Sequence, residues 1–394
     1  MRAAAAIAIA VLLGGCAHYE IVGYYAGWKD PIPVAARDLT VLNYAFLYVA
    51  DDGGLLVEDP RKEGAIFTRL ADLKRDNPDL KLMASVGGWT RSDRFSDMAD
   101  DAALRANFVD SSIAFLRRYQ FDGIDIDWEY PGAIGVKCAA GRTCDRPGDK
   151  RNFVLLGAEL REALDAAGRA DGKRYLLTIA AGADEEFLRD PDAGTWLADL
   201  ARSLDWINLM TYDYHGSWER AAGLNAPLRR DPRDPAGTNA EASVQRVLAS
   251  GVPKSKLTLG MPFYGKGWAG CAPGPRGDGL YQPCEGLASG SSQESFDFAY
   301  LTDHGYLVRD GDGRYTLAGQ GFARHWNEPA RSPYLYNPAT RVFITYDDEL
   351  SIRDKSRFVK ERGLRGGMFW ELDADRHAIL RRVVADELRA PAPR

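Results

Sequence analysis

Residues 121–132 read Phe121-Asp122-Gly123-Ile124-Asp125-Ile126-Asp127-Trp128-Glu129-Tyr130-Pro131-Gly132. Asp125, Asp127 and Glu129 are spaced by two, so on an extended strand all three side chains project to one face and Ile124, Ile126 and Trp128 take the other. Carboxylates that close cannot all ionise freely, so at least one is expected to hold a proton near neutral pH, as a general acid must. A structural ion network also uses clustered acids, yet basic partners are absent from the strand itself.

Outward from this stretch the chain repeats one unit: a short β-branched or aromatic run, a loop, then an amphipathic stretch. The runs are Ile21 to Tyr25, Val41 to Phe46, Lys81 to Ser85, Gly123 to Asp127, Tyr175 to Ala180, Trp206 to Met210, Leu257 to Pro262 and Gly366 to Trp370. Glu63 to Arg75, Ala102 to Tyr119, Asn152 to Ala167, Ala240 to Ser250 and Glu349 to Arg362 carry apolar residues at three- and four-residue intervals and are expected to be helices. Alternating strands and helices predict an α/β chain folded as a (β/α)8 TIM barrel, whose chemistry sits at the C-terminal ends of its strands. One interval breaks the rhythm. Pro262 and Gly366 are far more distant than a βα loop requires, and the sequence between them is turn-rich and aromatic (Phe296, Phe298, Tyr300, Tyr306, Phe322, Trp326). A small α+β insertion is therefore expected at 266–341 between strands 7 and 8, with the barrel divided into 16–265 and 342–394.

The 394 residues are 45% hydrophobic and 27% charged, enough apolar material for a large core. A net charge of −6 argues against nucleic acid or an anionic membrane surface as an electrostatic partner, and a neutral ligand fits better. At the start, Arg2 precedes the apolar run Ala3 to Leu13, and Gly14-Gly15 lead into Cys16. That pattern predicts an export signal at 1–15, too short to span a bilayer. Leu13-Gly14-Gly15-Cys16 resembles the lipobox of bacterial lipoproteins, which implies lipidation of Cys16, an exported chain and contact with a membrane only through that anchor; the alternative is an ordinary signal peptide with an accidental cysteine. The other four cysteines fall as close pairs, Cys138 with Cys144 and Cys271 with Cys284, and an exported chain sits where disulfides persist. Two local disulfides are expected. The pairs lack CxxC spacing and the five histidines are scattered, so neither metal nor cofactor is expected.

Asp122, Asp125, Asp127 and Glu129 form DxxDxDxE, which resembles the signature of family 18 glycoside hydrolases, the chitinases. Similar stretches follow along the chain: Val22-Gly23-Tyr24-Tyr25, Leu42-Asn43-Tyr44-Ala45-Phe46, Ser85-Val86-Gly87-Gly88-Trp89, Met210-Thr211-Tyr212-Asp213, Gly260-Met261-Pro262-Phe263-Tyr264-Gly265 and Gly367-Met368-Phe369-Trp370-Glu371. The resemblance implies retaining, substrate-assisted hydrolysis of β-1,4-linked N-acetylglucosamine polymers by a monomer. Glu129 would be the general acid and base, and Asp127 would accept the acetamido N–H. Asp125 would share a proton with Asp127, and Tyr212 would steady the acetamido carbonyl.

The same resemblance implies a cleft floored by Trp370, with Trp89, Tyr24, Phe46 and Trp218 as its wall and Met210 and Asp213 completing the pocket. Gly87, Gly88, Thr90, Tyr130 and Tyr264 join them as substrate-binding positions. Phe46 could equally be core. His215, in a polar loop, is expected to be solvated or hydrogen-bonded, and Asp122 to brace the strand. Two rivals keep the same barrel: an endo-β-N-acetylglucosaminidase acting on glycoprotein glycans or peptidoglycan, and a chitin-binding lectin. The lectins typically replace the acid at the position of Glu129, which is present here.

Overall fold

The computed structural model describes residues 18–391 apart from 134, 136, 137, 139, 140, 190–193, 293 and 294. Cys16 and the expected signal segment lie outside the described residues. Eight parallel strands, Glu20–Ala26, Val41–Val49, Lys81–Gly87, Gly123–Asp127, Leu176–Gly182, Trp206–Met210, Leu257–Pro262 and Gly366–Trp370, pair in sequence order. The first strand pairs with both the second and the last, which closes the sheet into the expected barrel.

The alternation along each strand sorts side chains into two layers. Ile124 and Ile126 point outward into a core shared with Phe153, Leu156 and Leu160 of the helix Asp149–Asp171. Val22, Tyr24, Val41, Ala45, Met83, Trp206 and Met368 form a separate cluster with partly buried Phe46, Met210, Tyr212 and Trp370. The helices start and stop where the sequence supplies caps. Asp101 accepts from the backbone N–H of Ala103 and Leu104 to open Ala102–Tyr119, Asp348 and Ser351 form a capping box for Glu349–Arg362, and Gly363 closes that helix in the left-handed region. Short helices Phe95–Asp100 and Trp196–Ala201, and the final helix Leu380–Arg389, add to those expected.

Immediately after the seventh strand, Tyr264–Ala269 begins an antiparallel sheet that also takes in Gly286–Leu287, Ser295–Asp297, Ala323–Asn327, Ser332–Asn337 and Val342–Thr345. Lys266 faces Thr345 in this sheet, so its first and last strands are neighbours and the chain returns to the barrel beside its point of departure. The sheet thus runs from Tyr264 to Thr345, and the span expected at 266–341 lies inside it. Cys138 is bonded to Cys144 and Cys271 to Cys284. No helix among the described residues is long and apolar enough to cross a membrane.

Candidate active site

Asp125 lies inside the barrel and is fully buried. Its Oδ2 accepts hydrogen bonds from the Tyr24 hydroxyl at 2.9 Å and Ser85 Oγ at 2.8 Å, and its Oδ1 from Thr178 Oγ1 at 2.6 Å and Asn208 Nδ2 at 3.2 Å. The donors come from the first, third, fifth and sixth strands, each an inward-facing polar residue among apolar neighbours. Asn208 Oδ1 is occupied in turn by Trp206 Nε1 and Thr258 Oγ1, both at 3.0 Å. Burial pushes the Asp125 carboxyl up, but the four hydrogen bonds oppose it.

Asp127, one turn of the pleat nearer the mouth, is also buried, and its Oδ1 has no hydrogen-bond partner among the described residues. Burial holds its carboxyl well above the usual carboxylate range, and the charges of Glu129 and Asp125 push it further the same way. Both carboxyls of the pair are thus held above their ordinary range, Asp127 the further of the two, as a proton shared between them requires.

Glu129 stands past the end of the strand. Its backbone N–H donates to Ser92 Oγ at 2.9 Å, and that hydroxyl lies 2.9 Å from the Gly88 carbonyl and 3.2 Å from the Asp127 carbonyl, so the loop that carries the acid is tied to the loop after the third strand. The two chains approach too closely for side chains. A Cβ on Gly87 would lie 2.4 Å from the Asp127 carbonyl oxygen, and one on Gly88 would lie 2.5 Å from the Phe46 ring. Both glycines have positive φ, 109° and 82°, which other residues rarely adopt. The Glu129 carboxyl is raised to about 7, by burial first, with the Asp213 charge adding and a hydrogen bond from Tyr130 opposing. Burial, more than the crowding of acids expected from the sequence, is therefore what keeps its proton on near neutral pH.

Across the pocket, Tyr212 and Asp213 follow the sixth strand. Burial and the charges of Asp127, Asp213, Glu129 and Asp125 keep the Tyr212 hydroxyl protonated, so it can serve as a donor. Tyr264 packs edge-on to Tyr212 at 6.1 Å and hydrogen-bonds Asp213. Lys266 Nζ is 2.9 Å from Asp213 Oδ1 and 5.4 Å from the centre of the Trp218 ring.

Family 18 of the glycosyl hydrolases is the family whose model this chain matches, over residues 20–375. The chain belongs to that family. It is 45% identical to Chitinase A1 of Niallia circulans over 95% of this chain and 58% of that protein. Chitinase ChiA74 from Bacillus thuringiensis superposes with a TM-score of 0.84 at 34% identity, covering 96% of this chain and 70% of that one. A family 18 chitinase mutant from Cycas revoluta, solved in complex with (GlcNAc)4, superposes with a TM-score of 0.75 at 29% identity over 93% of this chain and 98% of that one.

The family 18 residues expected to line a cleft fall in three groups. Trp89 and Trp218 are 49% and 61% exposed, which is unusual for so large an apolar surface and suits a ring that stacks on a ligand. Thr90 is exposed beside Trp89, and Tyr130 packs edge-on to Trp89 at 6.5 Å, so these two sit at the same rim. Trp370 is stacked on Phe46 at 5.6 Å and lies 5.4 Å from Tyr24. Tyr24 itself is 1% exposed with its hydroxyl on Asp125, so it supports the floor from below and does not stand in the wall. Met210 is partly buried next to the barrel interior.

Sequence reasoning missed Trp28. It follows the first strand, is 52% exposed, and stacks on Phe46 at 5.8 Å, extending the aromatic row Trp28, Phe46, Trp370 along one flank. A cavity of about 520 Å³ adjoins it, lined among others by Lys29, Tyr264, Asp297, Trp370, Glu371 and Asp373. Lys29 Nζ is 2.5 Å from Glu371, 3.2 Å from Asp373 and 3.8 Å from Asp297, closing that end with charge. An aromatic two residues beyond a strand's C-terminal end was the available signal. His215 is buried between Glu219 at 2.5 Å and Asp234 at 3.2 Å, and Asp122 takes Lys74 Nζ at 2.6 Å and the Leu82 N–H at 2.8 Å.

Proposed function

We propose that this chain hydrolyses β-1,4-linked N-acetylglucosamine polymers, chitin and its oligosaccharides, with retention of anomeric configuration and with Glu129 as general acid and base. The observation that carries the reading is the bare, buried Oδ1 of Asp127 between a fully hydrogen-bonded Asp125 and a Glu129 that keeps its proton to about pH 7. A sugar bearing a 2-acetamido group supplies the N–H that such an oxygen lacks. Once the N–H is held, the acetamido oxygen is turned toward the anomeric carbon. The Glu129 proton passes to the glycosidic oxygen as the bond breaks, the acetamido oxygen closes on C1, and Asp127, with the shared proton resting on Asp125, stabilises the positive charge that develops. Tyr212 donates to the acetamido oxygen side. Water then enters, gives its proton to Glu129 and opens the ring from the face the leaving sugar occupied, which restores the starting configuration.

The exposed rings support a sugar ligand, since pyranose C–H faces stack on flat apolar surfaces with polar groups at the edges. The related plant chitinase with (GlcNAc)4 bound supports the same substrate class. Product mass and anomeric form, measured after incubation with chitin oligosaccharides, peptidoglycan and an N-glycan in parallel, tests the reading. β-Anomers released from the chitin oligosaccharides alone are expected. Release only from peptidoglycan or the N-glycan would replace chitin as the substrate, and binding without cleavage would make the chain a lectin.

The export signal and the Leu13-Gly14-Gly15-Cys16 motif support an exported enzyme anchored through acylated Cys16. Mass spectrometry of the mature N-terminus is expected to find a diacylglyceryl cysteine. An unmodified residue after cleavage elsewhere would contradict the anchor.

A further inference from the structure

Trp28 is followed in sequence by Lys29 and Trp370 by Glu371, so each end of the aromatic row Trp28, Phe46, Trp370 has a charged neighbour. Those neighbours meet: Lys29 Nζ lies 2.5 Å from Glu371 Oε1. Glu371 is itself fixed to the barrel rim. It is buried, its Oε2 accepts the Asp373 N–H at 2.8 Å, and the next residue, Leu372, donates its N–H to the Tyr24 carbonyl at 3.0 Å. Lys29 Nζ also reaches Asp373 at 3.2 Å and, in the inserted sheet, Asp297 at 3.8 Å. Burial lowers the Lys29 ammonium, but Glu371, Asp297 and Asp373 outweigh it and hold the group above its ordinary value, so the charge that makes the contact stays on.

The segment that carries Trp28 is a turn. The Gly27 N–H donates to the Ala45 carbonyl at 2.7 Å, and a Cβ on Gly27 would lie 2.3 Å from the Tyr44 hydroxyl, so the backbone leaves the first strand pressed against the second. The Lys29 N–H then donates to the Ala26 carbonyl at 3.1 Å, which closes Ala26 to Lys29 as a turn with Trp28 near its tip. The near side of this turn is anchored by backbone, and the far side by the Lys29 ammonium. Between the two anchors the Trp28 ring is 52% exposed, 5.8 Å from Phe46 and 6.2 Å from Trp370.

We propose that Lys29 is a positioning residue for the aromatic row: by binding Glu371, Asp373 and Asp297 it fixes Trp28 beside Trp370, so that the row is ordered before a sugar stacks on it. The proposal deepens the hydrolase reading and rests on that row as part of its sugar cleft. A ring held in place in advance loses less freedom when ligand arrives, and the gain appears in affinity more than in the chemical step.

The first test needs no ligand. Indole 15N relaxation of the whole chain, with the Trp28 signal assigned by its loss in Trp28→Phe, is expected to show a Trp28 order parameter lower by about 0.1 or more in Lys29→Met than in wild type. An unchanged value would overturn the proposal. The second test measures affinity for an N-acetylglucosamine tetramer by calorimetry in the Glu129→Gln background, where turnover is stopped. Lys29→Met is expected to weaken binding about 3-fold or more there, and by less than about 1.5-fold once Trp28→Ala is also present, because the ring it positions is gone. A smaller loss in the first case, or a larger one in the second, would also overturn the proposal. Thermal melts show that each variant is folded. In the chain that keeps Glu129, Lys29→Met should raise KM for the tetramer by the same factor and change kcat less. A chain that shows the Trp28 response and binds the tetramer as described but leaves it uncleaved would count against the hydrolase reading and leave the Lys29 result standing.

Discussion

Asp125 and Asp127 sit two residues apart on one strand, both buried, and the fold treats them in opposite ways. Around Asp125, four strands each contribute a donor, so both of its oxygens are filled from within the barrel. At Asp127 one oxygen is left without a partner, under an acid that burial keeps protonated. A bare buried acceptor costs about 1–3 kcal/mol, which a ligand's donor can recover. Asp125 is held from within the fold, and Asp127 keeps an oxygen that, on the proposed function, the substrate's N–H would fill.

The sharpest break between the two regions is expected at Glu129. Glu129→Gln should lower kcat on chitin oligosaccharides by about 1000-fold or more, because the exchangeable proton is lost, while calorimetric affinity for a tetramer stays within a few-fold. Normal turnover by this variant would remove Glu129 from the chemistry. Asp127→Asn comes next, with kcat expected to fall about 100-fold and KM to change much less, since its role is to stabilise developing charge. A rise in KM alone would make Asp127 a simple binding residue.

Below the mouth, Tyr24→Phe deletes one of the four donors to Asp125. Its expected cost is about 1 kcal/mol of stability by denaturant unfolding and a loss of kcat smaller than that of Asp127→Asn. If the order were reversed, the deeper layer would be as catalytic as the mouth and the comparison would fail.

The smallest effect concerns stability against pH. The Glu129 carboxyl sits at about 7 in the folded chain and has an ordinary value of 4.5. Below 4.5 it is protonated in both states and contributes nothing. As pH rises toward 7 the unfolded chain releases this proton first, so the folded state loses stability relative to it. Glu129→Gln escapes that loss. Its melting temperature should match the wild type at pH 4 and exceed it by a few degrees at pH 8, and an equal gap at both values would contradict the shift.

Much of this was legible in the sequence, for physical reasons. Eight strands declared themselves because parallel strands buried on both sides are continuous apolar runs, and Gly123–Asp127, Trp206–Met210, Leu257–Pro262 and Gly366–Trp370 match their expected bounds. The acid stretch showed through a period of two. The helix Leu380–Arg389 went unread although Leu380, Val383, Val384 and Leu388 are buried at helical spacing, because ten residues before an Ala-Pro run give a short signal. The hydrogen-bond set of Asp125 was hidden for another reason. Ser85, Thr178 and Asn208 are each one polar residue in an apolar strand, and only closure of the barrel brings them to one carboxylate. Lys29 and Glu371, 342 residues apart, carry no local signal at all. The same is true of Lys266 with Asp213, a pair made by the inserted sheet's return to the barrel.

The central claim is that the substrate brings the nucleophile and Glu129 brings the proton. Its most direct test compares cleavage rates of two β-1,4-linked tetrasaccharides of equal length, one of N-acetylglucosamine and one of glucose, which lacks the 2-acetamido group. Hydrolysis of the first with no detectable cleavage of the second is predicted; equal rates on both would contradict the account.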